Sequence, residues 1–402
     1  MTVKAYVYRI LIFLYQKVFI PVKVSLLRQK RKIKVAFVLS DVSKWKSELL
    51  YKAMKAGDRF EPYILVTTFR AYEDKAFLMA QLIDYLNING YEYSVIKEDQ
   101  VITDIIKPDI IFYQQQYPHS IREELKYSKN LRSLFCFVPY AIDTLNVSFF
   151  YNQPLFDLTW QIYCINDLII NDISKYMLCK GRNCLATGLP IADILSLPPS
   201  ADGAPFKKQE KQKIKIIWAP HFTMPNTRSH FYFSTFLRYS DYMLTIAEKY
   251  KDIIQIAFKP HPWLRSKLYD LWGVERTDRY YSTWANGENT QLATGDYTNL
   301  FKHSDAMIHD CGSFTVEYLY TNKPVMYLVS DEGHEDQLIE LGKMAFNLHY
   351  KGRCEEDIDE FINNVIEGKD ELSGDRMKFR DEYLLPSNKK TATENIINAI
   401  LG

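Results

Sequence analysis

The strongest constraint on the fold is an alternation of element types. Short apolar runs rich in β-branched and aromatic residues recur at 34–40 (KVAFVLS), 63–68 (YILVTT), 110–113 (IIFY) and 134–139 (LFCFVP). Helical patterns at 44–55 and 77–89 lie between them, the second closed by Gly90. Strands separated by helices pair in parallel, because the helix is the crossover that returns the chain to the same end of the sheet. The pattern then breaks over 197–212 (LPPSADGAPFKKQEKQ), which holds three prolines, one glycine and mostly polar residues. A second series follows, with strands expected at 214–219, 254–259, 306–309 and 325–329 and helices at 233–250, 313–321 and 357–366. A chain of 402 residues accommodates two such domains. The expected division is an arm at 1–33, an N-terminal α/β domain at 34–200, a linker at 201–212 and a C-terminal α/β domain at 213–385. A segment at 386–402 should carry a last helix (391–401) that packs back on the first domain. Two parallel sheets predict a ligand cleft at their carboxyl ends.

Charge is distributed unevenly. The net charge is +1, yet residues 1–34 hold nine basic and no acidic side chains, which leaves −8 for the other 368. The body therefore lacks the basic surplus of a nucleic-acid binder. Val3–Val24 is apolar and aromatic, but its longest uninterrupted apolar run is Ile10–Tyr15, short of the roughly 18–20 residues that cross a bilayer. Arg9, Gln16 and Lys17 fall on one arc of a helical wheel, and no small-residue cleavage site follows. These features predict an amphipathic helix lying in a membrane surface, with Arg9, Lys17, Arg28, Lys30, Arg31 and Lys32 meeting anionic lipid. The six cysteines are scattered without a C-x-x-C spacing, as in a reduced, cytoplasmic protein.

Three segments carry groups suited to phosphate chemistry, each where a strand is expected to end. The first is Pro220-His221-Phe222, followed by a polar loop with Asn226, Thr227, Arg228 and Ser229. The second is Lys259-Pro260-His261-Pro262, where two prolines stiffen the backbone around the histidine. The third is His309-Asp310-Cys311-Gly312-Ser313, a strand–turn–helix in which Gly312 allows close backbone approach and Ser313 caps the helix or meets a phosphate. Glu317, one turn further on, is placed to accept ribose hydroxyls. The sequence has no P-loop, no H-E-x-x-H, no G-x-S-x-G and no G-x-G-x-x-G run.

The order of KPHP and, about forty residues later, YTNLFKHSDAMIHDCGSFTVEYLYTNKPVMYL resembles the CDP-glycerol glycerophosphotransferase family, the teichoic-acid-type polyol phosphate transferases and polymerases. Lys259, His261 and Pro262 match its basic-x-His-Pro motif. Ser304, Asp305, Ile308, Asp310, Ser313, Glu317, Lys323 and Pro324 match its second motif. The resemblance covers about 215–400 and implies a GT-B fold: two Rossmann-like domains facing each other across a cleft, the second holding a CDP-activated donor. It implies no cofactor and no metal, a lipid-linked glycan acceptor, no nucleic acid, and peripheral attachment at the cytoplasmic face of the bacterial membrane. Donor contacts fall to His221, Lys259, Asp310, Gly312, Ser313 and Glu317, and catalysis to His261.

The chain departs from the family in the first domain. The usual His-Gly pair, whose histidine is the proposed base, is replaced by Phe137-Val138-Pro139-Tyr140-Ala141-Ile142-Asp143, which leaves Asp143 or His119 for that role. The expected reaction is transfer of glycerol or ribitol phosphate to a cell-surface glycan with release of CMP. A GT-B glycosyltransferase using a UDP- or CMP-sugar and an inactive membrane scaffold are the alternatives.

Overall fold

The computed structural model describes residues 3–68, 75–97, 100–115, 125–199, 205–224, 233–330 and 334–402. His119, residues 201–204 of the expected linker and the polar loop residues 226–230 lie outside these. The chain groups into two units. One comprises Met1–Ile142, Val147–Ile194 and Tyr383–Gly402, and the other Asp143–Asn146 and Leu195–Glu382.

The first unit carries β1 (Ile33–Leu39), β2 (Phe60–Val66), β3 (Tyr93–Val95), β4 (Ile110–Tyr113), β5 (Leu134–Phe137), β6 (Gln161–Cys164) and β7 (Cys184–Ala186). They form a parallel sheet in the order β3-β2-β1-β4-β5-β6-β7. β1 is central, pairing with β2 along Ile33–Leu39 and with β4 through Val35↔Ile110. Phe37 on β1 stacks on Phe112 of β4 with centroids 4.9 Å apart. The helix Ala392–Leu401 belongs to this unit. Thr391 and Glu394 close a capping box, Asp193 accepts from the Ala392 and Thr393 amides, and Ile396 and Ile400 enter the core.

The second unit carries β8 (Ile214–Ala219), β9 (Ile254–Phe258), β10 (Thr290–Leu292), β11 (Ala306–His309), β12 (Val325–Leu328) and β13 (Tyr350–Gly352), all parallel, in the order β10-β9-β8-β11-β12-β13. Trp218 on β8 is buried among Phe236, Phe258 and Trp284, at centroid distances of 5.7, 5.0 and 5.3 Å. Residues 205–210, expected as linker, are tied to the edge of this sheet. The Lys207 amide donates to Gln291, and Gln255 donates to the Lys207 carbonyl at 2.8 Å. The strands β1, β2, β4, β5, β8, β9, β11 and β12 fall where the apolar runs place them, within a few residues. The pattern misses β3, β6, β7, β10 and β13. All but β6 have three residues and form a sheet edge, too short to establish a period, and β6 is an inner strand of four residues that opens on a glutamine.

The N-terminal segment departs most from expectation. It is helical from Val3 to Gln29, as Val3–Leu14, a wider π-helical turn Tyr15–Phe19 and Ile20–Gln29. Pro21 has no N–H for the Lys17 carbonyl, which accounts for the widened turn. The helix therefore outruns Val24. By length and composition Tyr8–Gln29, 22 residues with a mean hydropathy of 1.8 over an 18-residue stretch, is long and apolar enough to cross a membrane, although its uninterrupted apolar run is short. Gln16 donates to the Asp157 carbonyl, and Lys23 to the carbonyls of Leu131 and, at 3.3 Å, Ser133, so part of the polar arc faces the first unit. Ile12, Ile20 and Leu27 are buried beside them. Arg9 and Lys17 stay exposed. The outward face presents Ile10, Leu11, Phe13, Leu14, Val18, Phe19, Val22 and Leu26, all at least 42% exposed. Within the basic cluster, Lys30 pairs with Asp109 at 2.5 Å, while Arg28, Arg31 and Lys32 are exposed.

The helix is thus part of the first unit's core as well as an outward surface. Leu27 is 3% exposed, so Leu27→Ala should destabilise this unit by about 2–4 kcal/mol in urea unfolding. A change below about 0.5 kcal/mol would mean the helix is not docked.

Candidate functional site

The order of the second sheet reverses direction between β8 and β11, and loops at the carboxyl ends of such neighbours form the usual ligand crevice of an open α/β sheet. His221 follows β8, His261 follows β9, and the Asp310–Ser313 turn follows β11. The sheet therefore brings together the three segments that the sequence singles out.

Asp310 organises them. It is fully buried. Its Oδ1 accepts the His221 amide at 2.5 Å, and its Oδ2 accepts the amide and hydroxyl of Thr235 at 2.6 and 2.9 Å. Thr235 in turn precedes the helix Phe236–Lys249, and Ser234 donates to the His221 carbonyl at 2.6 Å. Burial pushes the Asp310 carboxyl up to about 7 despite these donors. The carboxylate is a strut between loops, and the role of touching donor phosphate or nucleotide is corrected accordingly: its oxygens are spent on backbone, and like charge would repel phosphate.

The two site histidines pack together. Their ring centroids are 4.8 Å apart at 63°, and Phe222 lies 4.5 Å from each. The His261 amide donates to the Pro220 carbonyl at 3.0 Å, which fastens one loop to the other. The Trp263 amide donates to His261 Nδ1 at 3.1 Å, and the Thr223 amide approaches His221 Nδ1 at 3.4 Å. A neutral His261 ring then carries its proton on Nε2 and offers that N–H at the strand end, while His221 Nδ1 also lies 2.9 Å from the Thr223 hydroxyl. Half-exposed His261 and Trp263 border solvent.

The remaining residues divide. Lys259 is 7% exposed, and its ammonium donates to the Gly295 carbonyl at 3.1 Å. Its charge is felt at the turn, where it opposes the upward shift of the Cys311 thiol that burial causes. Ser313 is half-buried and makes no capping bond, so its hydroxyl is not committed to the helix. The helix itself is a single turn, Phe314–Glu317, followed by a 3-10 turn Tyr318–Thr321, and is too short to supply the expected anion-binding dipole. Gly312 has an ordinary backbone conformation. An added Cβ would meet Leu145 and Thr144 at 3.6 Å, so close approach does not require glycine there. Glu317 is fully buried and accepts the Tyr297 hydroxyl at 2.5 Å, an internal contact in place of the expected ribose contact. Lys323 and Asp305 are likewise structural. Lys323 donates to the carbonyls of Phe301 and Lys302, and Asp305 accepts the Lys215 amide.

Asp143 lies in the second unit, not the first as the sequence reading had it. The strap Asp143–Asn146 is held by Thr144, whose hydroxyl donates to the Gly312 carbonyl at 3.0 Å and whose carbonyl accepts the Ile339 amide at 2.9 Å. Half-buried Asp143 therefore adjoins a residue that touches the site turn.

Sequence reasoning passed over a second polar cluster, in the first unit. Its direction reversal falls between β1 and β4, whose carboxyl ends present Ser40, Asp41, Gln114 and Gln115, all buried, with Lys44 paired to Asp41 at 3.3 Å. Polar residues directly after two apolar strand runs were the available signal. Among the described residues no group of three or more His, Cys, Asp or Glu side chains could hold a metal ion.

Two Rossmann-like units of parallel strands are the architecture of the GT-B class. The chain belongs to the CDP-Glycerol:Poly(glycerophosphate) glycerophosphotransferase family, whose model matches residues 162–402. No curated protein matches it in sequence. Among solved structures, the wall teichoic acid polymerase TagF superposes with a TM-score of 0.61 at 11% identity, covering 100% of this chain and 97% of that one. The S. aureus MnaA–UDP co-structure gives 0.55 at 15%, covering 92% and 96%. A putative UDP-N-acetylglucosamine 2-epimerase from Listeria monocytogenes gives 0.53 at 15%, again covering 92% and 96%. These likenesses carry the fold.

The Asp310 strut has a pH signature. Its folded value of about 7 lies above the ordinary 3.8, so the folded state holds this proton where the unfolded chain has lost it. Stability from this group is present below about pH 4 and is lost as pH rises towards 7. The stability of Asp310→Asn relative to the parent should therefore rise by more than about 1 kcal/mol between pH 4.5 and 7.5 in urea unfolding. A pH-independent difference would contradict the strut.

Proposed function

We propose that this chain transfers glycerol phosphate or ribitol phosphate from a CDP-activated donor to a hydroxyl of a lipid-linked or growing teichoic-acid-like glycan, releasing CMP. The observation that carries this reading is the His221–His261 pair, held at the strand-end crevice by Asp310 in a chain of this family. A TagF variant soaked with CDPG has been solved, which is in keeping with such a donor. The acceptor oxygen forms a bond to the polyol-bearing phosphorus, the bridging P–O bond breaks, and CMP leaves with that electron pair. The Nε2–H group of His261, the His221 ring and the Ser313 hydroxyl meet the diphosphate oxygens, where fixed donors are most effective against developing charge. Lys259 adds positive field from behind. Asp143 takes the proton of the acceptor hydroxyl, with His119 as the alternative base. The Ser40–Gln115 pocket of the first unit binds polyol or sugar hydroxyls of the acceptor. No metal enters this reading.

The N-terminal helix supports peripheral attachment to the cytoplasmic membrane face. A helix docked along its length by Ile12, Gln16, Ile20, Lys23 and Leu27 lies flat on its unit, with its other face free to enter a bilayer surface.

His261→Ala should reduce transfer from CDP-glycerol at least 100-fold, with unchanged unfolding, when CMP release is followed by chromatography. Near-parent turnover would overturn the assignment. Thermal shifts with CDP-glycerol, CDP-ribitol and UDP-sugars separate the donors, and a shift with UDP-sugars alone would favour the glycosyltransferase alternative.

A further inference from the structure

A groove opens where the N-terminal helix meets the β6–β7 side of the first unit. It is lined by Gln16, Lys17, Trp160, Gln161, Arg182 and Asn183. Its amides are committed to structure. Gln16 donates to the Asp157 carbonyl, Gln161 to that of Ala399 at 2.8 Å, and Asn183 to those of Phe156 and Thr159 at 2.9 and 2.7 Å. Its cations are not. Lys17 and Arg182 are both exposed, and no ion pair holds either among the described residues. Two like charges converging on one groove without a carboxylate repel each other until an anion enters. Half-buried Trp160 supplies the kind of amphipathic ring that settles at the level of lipid headgroups.

The depth of the groove selects the anion. Lys17 sits on the helical turn that also carries Leu14 and Val18, both exposed on the outward face. When that face enters the acyl boundary, the Lys17 ammonium reaches the phosphate level by extending its stem. Arg182 offers the planar fork that binds phosphate oxygens in pairs.

We infer that this groove is a binding site for the phosphate headgroup of an anionic phospholipid, gripped by Lys17 and Arg182 and flanked by Trp160. The inference rests on the membrane attachment proposed above and adds to it a defined headgroup site in place of diffuse attraction by the basic arm. It also orients the enzyme, because a lipid held at this groove fixes which edge of the first unit meets the membrane.

Flotation of the full chain with phosphatidylcholine vesicles, and with vesicles containing phosphatidylglycerol, tests it. The paired substitution Lys17→Gln with Arg182→Gln should weaken binding to phosphatidylglycerol vesicles about tenfold or more and leave phosphatidylcholine binding unchanged. The charge-matched pair Arg31→Gln with Lys32→Gln should change it less than about threefold. Urea unfolding establishes that both variants are folded. Equal losses from the two pairs would overturn the site in favour of diffuse electrostatics. Displacement from phosphatidylglycerol vesicles by millimolar glycerol phosphate at matched ionic strength would overturn the lipid as its ligand. Failure of the parent protein to float with either vesicle would overturn the membrane attachment itself, and the headgroup site with it.

Discussion

The buried carboxylate of Asp310 is the interaction on which the site depends. One side chain, fully enclosed, accepts the amide that begins the His221 loop and both donors of Thr235 at the head of the following helix. An ionised group in such a place costs stability unless donors surround it, and the upward shift to about 7 reflects what the donors leave uncompensated. The return is positional. With His221 fastened from β11 and His261 fastened to the Pro220 carbonyl, two imidazoles are held 4.8 Å apart at the ends of three adjacent strands. Groups fixed before the ligand arrives need no reorganisation when charge moves.

Much of this was legible in the sequence. The apolar runs marked the central strands because those are buried on both faces and must be continuously hydrophobic. The edge strands β3, β7, β10 and β13 were not legible, since three residues carry no period, and neither was the four-residue inner strand β6. The motif residues were found, but their division of labour was not. Asp310 and Glu317 look like ligand groups in a string of letters, yet each is turned inward, and the motif residues Asp305 and Lys323 likewise hold backbone. Hydrogen-bond partners distant in sequence decide that, and periodicity does not reveal them. Asp143 shows the same limit. Its strap leaves the first sheet's chain and joins the second unit through Thr144 and Gly312, a contact 168 residues apart.

The N-terminal arm keeps the outward apolar face that an in-plane helix requires and gives part of its polar side a second role. The polar arc exists, but Gln16 and Lys23 use it to grip carbonyls of the first unit, so the apolar majority of the wheel faces outward. Nothing local in the sequence states which side of a helix will find a partner. The charge imbalance between arm and body therefore acts at particular places. Lys30 is neutralised by Asp109, while Lys17 joins Arg182, a residue remote in sequence, at one groove.

The central claim is that two histidines presented by a buried aspartate form the donor diphosphate site. A crystal structure of the protein soaked with CDP-glycerol tests it most directly. The account predicts diphosphate oxygens within hydrogen-bond distance of His221 and His261 Nε2, with the Ser313 hydroxyl nearby and Asp310 still bonded to the His221 and Thr235 amides. A diphosphate bound away from both rings, or one touching the Asp310 carboxylate, would contradict it.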